Sequence, residues 1–179
     1  MLTANPIHQV EIARQDSSIK PVLPLTDALD GLSAEGQIRG IMDSLIFVIN
    51  NRVFDRASLP WTRFVPDFQA GTNIALPIRN SREVFDMFQT VAAACPDYKV
   101  TLSHAQILVD EEAGSAKVSW KGESVGLFPG ITIPNIGVTE FERIDGRWWV
   151  SRSDDIRGQG DYPHVADLTY LQAWSPGVD

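Results

Sequence analysis

Between Ser33 and Arg52 the apolar residues Ile38, Ile41, Met42, Leu45, Ile46 and Ile49 recur at i, i+3, i+4, i+7, i+8 and i+11. That spacing places them on one face of a helix, which must be buried against another element. Leu32 and Ser33 supply its entry and its N-cap, because a serine hydroxyl accepts from an unpaired N–H of the first turn. The second half of the chain changes to a two-residue period. In Tyr98–Asp110, Val100, Leu102 and His104 share one face, and further on Ala116, Val118 and Trp120 alternate with Lys117, Ser119 and Lys121. Strands over Ile131–Ile144 and Arg147–Asp154 follow, joined by Asp145-Gly146, a favoured hairpin turn. Helices first and successive strands afterwards predict an α+β fold, with the helices on one face of a curved, mostly antiparallel sheet.

Between these segments the signals are shorter. Asp55–Trp61 reads as a helical turn interrupted by Pro60, and Phe64–Thr72 as a strand with Pro66 at an edge. Ser81–Ala94 reads as a helix capped by Ser81, with Val84, Met87, Phe88 and Val91 on its apolar face and Pro96 as its stop. Pro134 predicts a bulge or an edge position in its strand. Residues 1–32 read as an arm broken by Pro6, Pro21 and Pro24, with one short strand at His8–Ala13. The folded domain is expected over 33–160. Residues 161–179, with Val165, Leu168, Leu171 and Trp174, read as a weakly amphipathic tail capping the open end of the sheet.

Charge and composition exclude several functions. The 179 residues carry 15 Lys and Arg against 23 Asp and Glu, a net charge of −8 with no basic run, which excludes a phosphate-backbone binder. No apolar stretch is longer than Leu45–Ile49, which is too short to cross a bilayer, and the N-terminus has neither the basic nor the apolar region of a secretory signal. Cys95 is alone, which rules out an internal disulfide and fits a reducing compartment, so a cytoplasmic location is expected. His8, His104 and His164 lack zinc-site spacing, and neither GxGxxG nor GxxxxGK[ST] occurs, so neither a metal nor a cofactor is expected.

The order of elements, together with the ending Phe141-Glu142-Arg143-Ile144-Asp145-Gly146-Arg147-Trp148-Trp149-Val150, resembles the nuclear transport factor 2-like superfamily. Val53-Phe54-Asp55-Arg56 and Asp155-Ile156-Arg157 resemble its SnoaL-like branch, notably proteins of the scytalone dehydratase and bile-acid 7α-dehydratase type. The resemblance covers about residues 33–160. It implies a cone: a bent sheet wrapped around helices, with a ligand cavity inside. Enzymes of this type include dehydratases, ketosteroid isomerases, epoxide hydrolases and polyketide cyclases, and other members only bind ligands or partners. By the same resemblance His104 takes the place of a cavity histidine, Asn50 that of an acid near the end of the first helix, and Asn135 that of a polar residue on the penultimate strand. Alternate residues of the last strand line the family's cavity, which selects Arg152, Asp154 and Ile156. Two departures stand out: Ile49 replaces a tyrosine before the helix acid, and the second cavity histidine is absent, where this chain reads Leu127-Phe128.

The candidate residues suit acid–base chemistry. A neutral His104 in an apolar cavity can take or give a proton near neutral pH, and Asp154 would fix its tautomer; the alternative is a core histidine with a satisfied hydrogen bond. Arg152 shares a strand face with Asp154 and would polarise a carbonyl or enolate, or else pair with Glu140 or Glu142 on a solvated face. Asp43 lies beside the apolar stripe of the first helix, in a row with Phe47 and Asn50, and reads either as a cavity acid or as a solvated residue. Trp61, Phe64, Phe88, Trp120 and Trp148 are expected to line core or cavity. Gly122-Glu123-Ser124-Val125-Gly126 matches G-x-S-x-G, but a nucleophile elbow needs a helix after the serine, and Leu127-Phe128-Pro129-Gly130 supplies none.

The expected function is therefore a cofactor-independent lyase or isomerase acting on a small hydrophobic polycyclic, polyketide or terpenoid metabolite. Catalysis falls to His104 and Asp154, and binding to Asn50, Arg152, Asn135, Asp43, Trp120 and Ile156. The alternatives are a binding or dimerisation module of the same fold and, third, a serine hydrolase using Ser124. A homodimer is expected, through an outer sheet face carrying Ile136 and Val138.

Overall fold

The computed structural model describes residues 29–72 and 77–158. The expected strand at 8–13 and the capping segment with Val165, Leu168, Leu171 and Trp174 lie outside them. The described elements are α1 (Ala34–Asn51), a short 3-10 turn (Trp61–Arg63), β1 (Phe64–Thr72), α2 (Ser81–Ala94), β2 (Lys99–Asp110), β3 (Ser115–Val125), β4 (Thr132–Ile144) and β5 (Arg147–Arg157). The five strands form one sheet in the order β1-β5-β4-β3-β2, with β1 parallel to β5 and every other pair antiparallel. This is the expected α+β arrangement. The predicted turn begins at Asp55, whose carbonyl accepts from Ser58 N at 3.0 Å, and a 3-10 turn follows at Trp61–Arg63.

Both helices start where side chains satisfy unpaired N–H groups. Ser33 Oγ accepts from Gly36 N at 3.2 Å. In α2 the cap is Asn80 rather than the expected Ser81: its Oδ1 accepts from Glu83 N at 2.9 Å, and the Glu83 carboxylate accepts in turn from Arg79 N at 2.8 Å. α1 ends at Arg52 in the left-handed region, φ 60°, with the guanidinium donating to Ile49 O, Pro96 O and Tyr98 O. A cation at the C-terminus meets the carbonyls left unpaired there and ties α1 to the loop before β2.

The core lies between the helices and the concave sheet face. Ile38, Ile41, Val48 and Ile49 of α1 are buried with Val118, Phe141, Trp148 and Val150 of the sheet. A second region joins the first helices to β1 through aromatic rings, with Trp61 edge-on to Phe85 at 5.0 Å and Phe64 edge-on to Phe68 at 4.9 Å. Each such side chain contributes about 1.5–3 kcal/mol by burial.

Two β-bulges decide which residues face inward. The β2–β3 register shifts between Leu102 and His104, so Ser103 is an extra residue. The β4–β5 register shifts so that Glu140 pairs with Arg152 and Phe141 with Val150, leaving Ser151 extra. An extra residue reverses the inward and outward alternation beyond it. Inward positions on β5 are thus Trp148 and Val150 before the bulge, then Ser153, Asp155 and Arg157 after it. Pro134, read as a bulge or edge signal, sits in the interior strand β4 without a shift. Its carbonyl accepts from Gly158 N at 2.7 Å, just past the last β4–β5 pair, Asn135 with Arg157, so its missing N–H removes no ladder bond.

Candidate functional site

The bulge at Ser151 turns a polar patch into the cone. On β4 the inward residues are Ile133, Asn135, Gly137 and Thr139, and the register sets Asn135 opposite Arg157, Gly137 opposite Asp155 and Thr139 opposite Ser153. On β3 Trp120 and Ser124 face the same way. Asp155 and Arg157 form an ion pair of 3.2 Å, with side chains only 19% and 18% exposed. Asn135 is buried; its Nδ2 donates to Ser124 Oγ at 3.2 Å, while its Oδ1 has no protein partner among the described residues. Trp120 Nε1 donates to Thr139 Oγ1 at 3.0 Å, and Thr139 shares a hydrogen bond with Ser153 at 3.1 Å. Gly137 permits this: a Cβ there would collide with Cζ2 of the indole and stand 2.7 Å from its Cε2.

Tyr98, at the entry to β2, is buried. Burial pushes its phenol above the ordinary value of 10.0, while the nearby charges of Arg157 and Arg52 oppose the rise and those of Asp155 and Cys95 add to it. The patch therefore joins a carboxylate, a guanidinium and a carboxamide, and the buried Tyr98 phenol feels the charges of Arg157 and Asp155. Such a set can hold an oxygen-bearing ligand and exchange a proton with it. Among the described residues no three His, Cys, Asp or Glu side chains stand close enough to hold a metal ion.

The residues read from the sequence are distributed differently. His104 was expected beside Val100 and Leu102; the bulge at Ser103 instead turns it to the outer face, where it is exposed and pairs in register with Lys121. Asp154 and Arg152, expected inside, are likewise on the outer face, bound to one another at 2.6 Å, and Glu140 is paired with Lys117 at 2.8 Å. The Asp154 carboxylate raises the Arg152 guanidinium above its usual value by hydrogen bond and charge. Ile156 is 58% exposed on that face. His104 and Asp154 lie on strands three spacings apart, about 14 Å at least, so they form no hydrogen-bonded dyad.

Asn50, expected on the ligand, is engaged by the backbone: its Nδ2 donates to Val100 O at 2.7 Å and its Oδ1 accepts from Val100 N at 2.8 Å. Asn135 and Trp120 do face the cone. Asp43 is exposed on α1 and borders a crevice that His104 also borders. Ser124 is 1% exposed within β3, and no helix follows it, so the G-x-S-x-G pattern forms no nucleophile elbow. The sequence reading missed Asp155, Arg157, Ser153 and Tyr98. The phrase Asp155-Ile156-Arg157 carries the signal, but strict alternation along the strand selects Arg152, Asp154 and Ile156 for the inner face in place of Asp155 and Arg157.

No protein-family model and no curated protein matches the sequence. Solved structures of the same shape exist. An uncharacterised protein with a cystatin-like fold from Caulobacter vibrioides superposes with a TM-score of 0.60 at 13% identity, over 76% of this chain and 97% of that one. An NTF2-like protein of unknown function from Pseudomonas putida gives 0.58 at 14%, over 73% and 92%. The hexachlorocyclohexane dehydrochlorinase LinA-type3 from Novosphingobium barchaimii gives 0.61 at 16%, over 73% and 90%. No described helix is long and apolar enough to cross a membrane. One long helix against a bent five-stranded sheet, superposable on these proteins over nearly their whole lengths, gives this chain the cystatin-like fold that they share.

Proposed function

We propose that this chain is an acid–base lyase or isomerase of the SnoaL-like type, acting on a small hydrophobic carbonyl compound or alcohol held against the concave sheet face. The observation that carries the reading is the largely buried Asp155–Arg157 pair set beside Asn135 in an apolar cone. In this reading the Asp155 carboxylate takes a proton from the carbon alpha to a substrate carbonyl, and the C–H electron pair moves onto the carbonyl oxygen as an enolate. Collapse of the enolate either takes the proton back from Asp155 at another carbon, which isomerises the substrate, or expels a beta leaving group, which completes an elimination. Arg157 and the Tyr98 phenol stabilise the charge that develops on that oxygen, and Asn135 orients the ligand. The dehydrochlorinase of the same fold supports the reaction class, since loss of HCl also removes a proton from carbon. These side chains supply the whole mechanism, so no cofactor is required by it.

The test is turnover of a panel of hydrophobic cyclic ketones and alcohols, with Tyr98→Phe as the variant that keeps the buried ring. Loss of about 10–100-fold in kcat, with an unchanged melting temperature at neutral pH, is expected. If no compound is turned over and none shifts the amide resonances of Asn135, Ser153 or Asp155, the reading fails. A second reading, an interaction module, has one observation in its favour: Leu108, Ile136 and Ile156 are 59%, 50% and 58% exposed on the outer sheet face.

A further inference from the structure

The bulge at Ser103 has a second effect, away from the concave patch. It lies in β2, an edge strand packed against α1, and beside it a crevice of about 200 Å³ opens between the two. Met42 of α1, Leu102, Ala105 and Ile107 of β2 and Val118 of β3 give it an apolar floor. Met42 and Val118 are buried, so this floor is continuous with the core. Arg39, Asp43, Ser103 and His104 complete the lining.

The polar groups at the rim are unequal. Arg39 is held by Glu35, one turn earlier, at 3.0 Å, so its charge is locally balanced. Ser103 Oγ donates to Lys121 O at 3.3 Å. Asp43 and His104 have no side-chain hydrogen bond or ion pair among the described residues. What the crevice offers a ligand is therefore an apolar bed and, at its rim, the Asp43 carboxylate, which has no side-chain partner among the described residues. A cavity of about 150 Å³ lined by apolar side chains takes up benzene, so one six-membered ring suits this volume.

We propose that the α1–β2 crevice binds a small hydrophobic amine, its ring on the inward side chains of Leu102, Ala105 and Ile107 and its ammonium on Asp43. A carboxylate selects a cation over an anion, and the net charge of −8 acts in the same direction. The site is separate from the concave patch of Asn135, Asp155 and Arg157, and it stands or falls independently of the acid–base reading.

The experiment is an amide-resolved NMR titration of the whole chain with benzylamine, benzyl alcohol and benzoate at low salt. Benzylamine is expected to bind with a Kd of about 1 mM, the scale for a ligand of this size, and to shift Asp43, Ser103, His104 and Ile107 together. Benzyl alcohol should bind more weakly and benzoate not at all. Asp43→Asn, a change at an exposed helix position, should weaken benzylamine about tenfold and leave benzyl alcohol unaffected. The proposal is overturned if benzylamine shifts none of these amides, if benzoate binds as well as benzylamine, or if Asp43→Asn leaves benzylamine binding unchanged.

Discussion

Asn50 makes two hydrogen bonds to the backbone of Val100. Its carboxamide mimics one rung of a β-ladder, meeting both backbone groups of Val100 on the open edge of β2. Asn50→Ala leaves a part-buried N–H and C=O unpaired, which should destabilise the fold by about 1–3 kcal/mol, read as a lower urea midpoint at constant m. An unchanged midpoint would show that the pairing is dispensable. The residue stood out in the sequence for its position near the end of the first helix, but the partner was not legible: nothing local places Val100, fifty residues on, beside it. Tyr98 carries a second residue-scale prediction. Its folded-state phenol lies above the unfolded value of 10.0, so the folded state keeps a proton that the unfolded state loses. That contribution is complete below pH 10 and is lost as pH rises through 10 toward the folded value. Denaturation followed between pH 8 and 11 should therefore show the wild type losing stability above about pH 10 more steeply than Tyr98→Phe. Parallel curves would refute the assignment to Tyr98.

At the scale of elements, period and capping were strong signals and strand parity was not. The 3.6-residue recurrence of Ile38, Ile41 and Ile49 located α1, and the alternation of Ala116, Val118 and Trp120 located β3 with its inward face correct. The same alternation misplaced His104, Arg152 and Asp154, because a strand signal survives a bulge while the facing of every residue beyond it is inverted. Neither Ser103 nor Ser151 marks a bulge in the sequence, and Pro134, which does suggest one, lies where no shift occurs. Gly137 shows the packing consequence of the true register. Its bare Cα lets the Trp120 indole cross β4 to reach Thr139. Gly137→Ala would push a methyl into that ring and against the Asp154 carbonyl, 2.8 Å away, so the indole must leave. The expected cost is about 1–3 kcal/mol, with a red-shifted tryptophan emission as Trp120 meets water. A stable variant with unchanged emission would mean that the indole does not lie over Gly137.

At the scale of the molecule, the order of helix and strands specified the cone, because a long amphipathic helix and four consecutive strands leave few ways to share one core. What lines the cone depended on two one-residue insertions and was not legible for that reason. The convex face poses the remaining question of assembly. Ile136 and Ile156 are register partners there, both at least half exposed, and Leu108 lies two strands from Ile136. Around them stand charges of both signs, Lys117, Lys121 and Arg152 with Glu123, Glu140 and Asp154. A second copy related by a two-fold axis through this face would bury the isoleucines and could bring opposite charges together, and a stable interface needs only about 800 Å² from each partner. Sedimentation should then give twice the mass of one chain, and the double variant Ile136→Lys, Ile156→Lys should sediment as a single chain with an unchanged circular dichroism spectrum. The variant adds four charges across the pair at the centre of the contact, while both sites are solvent-facing in one chain, so folding is not at stake. If the wild type sediments as a single chain across a wide range of concentration, the convex face is not an interface between copies, and its isoleucines belong to an unassembled surface.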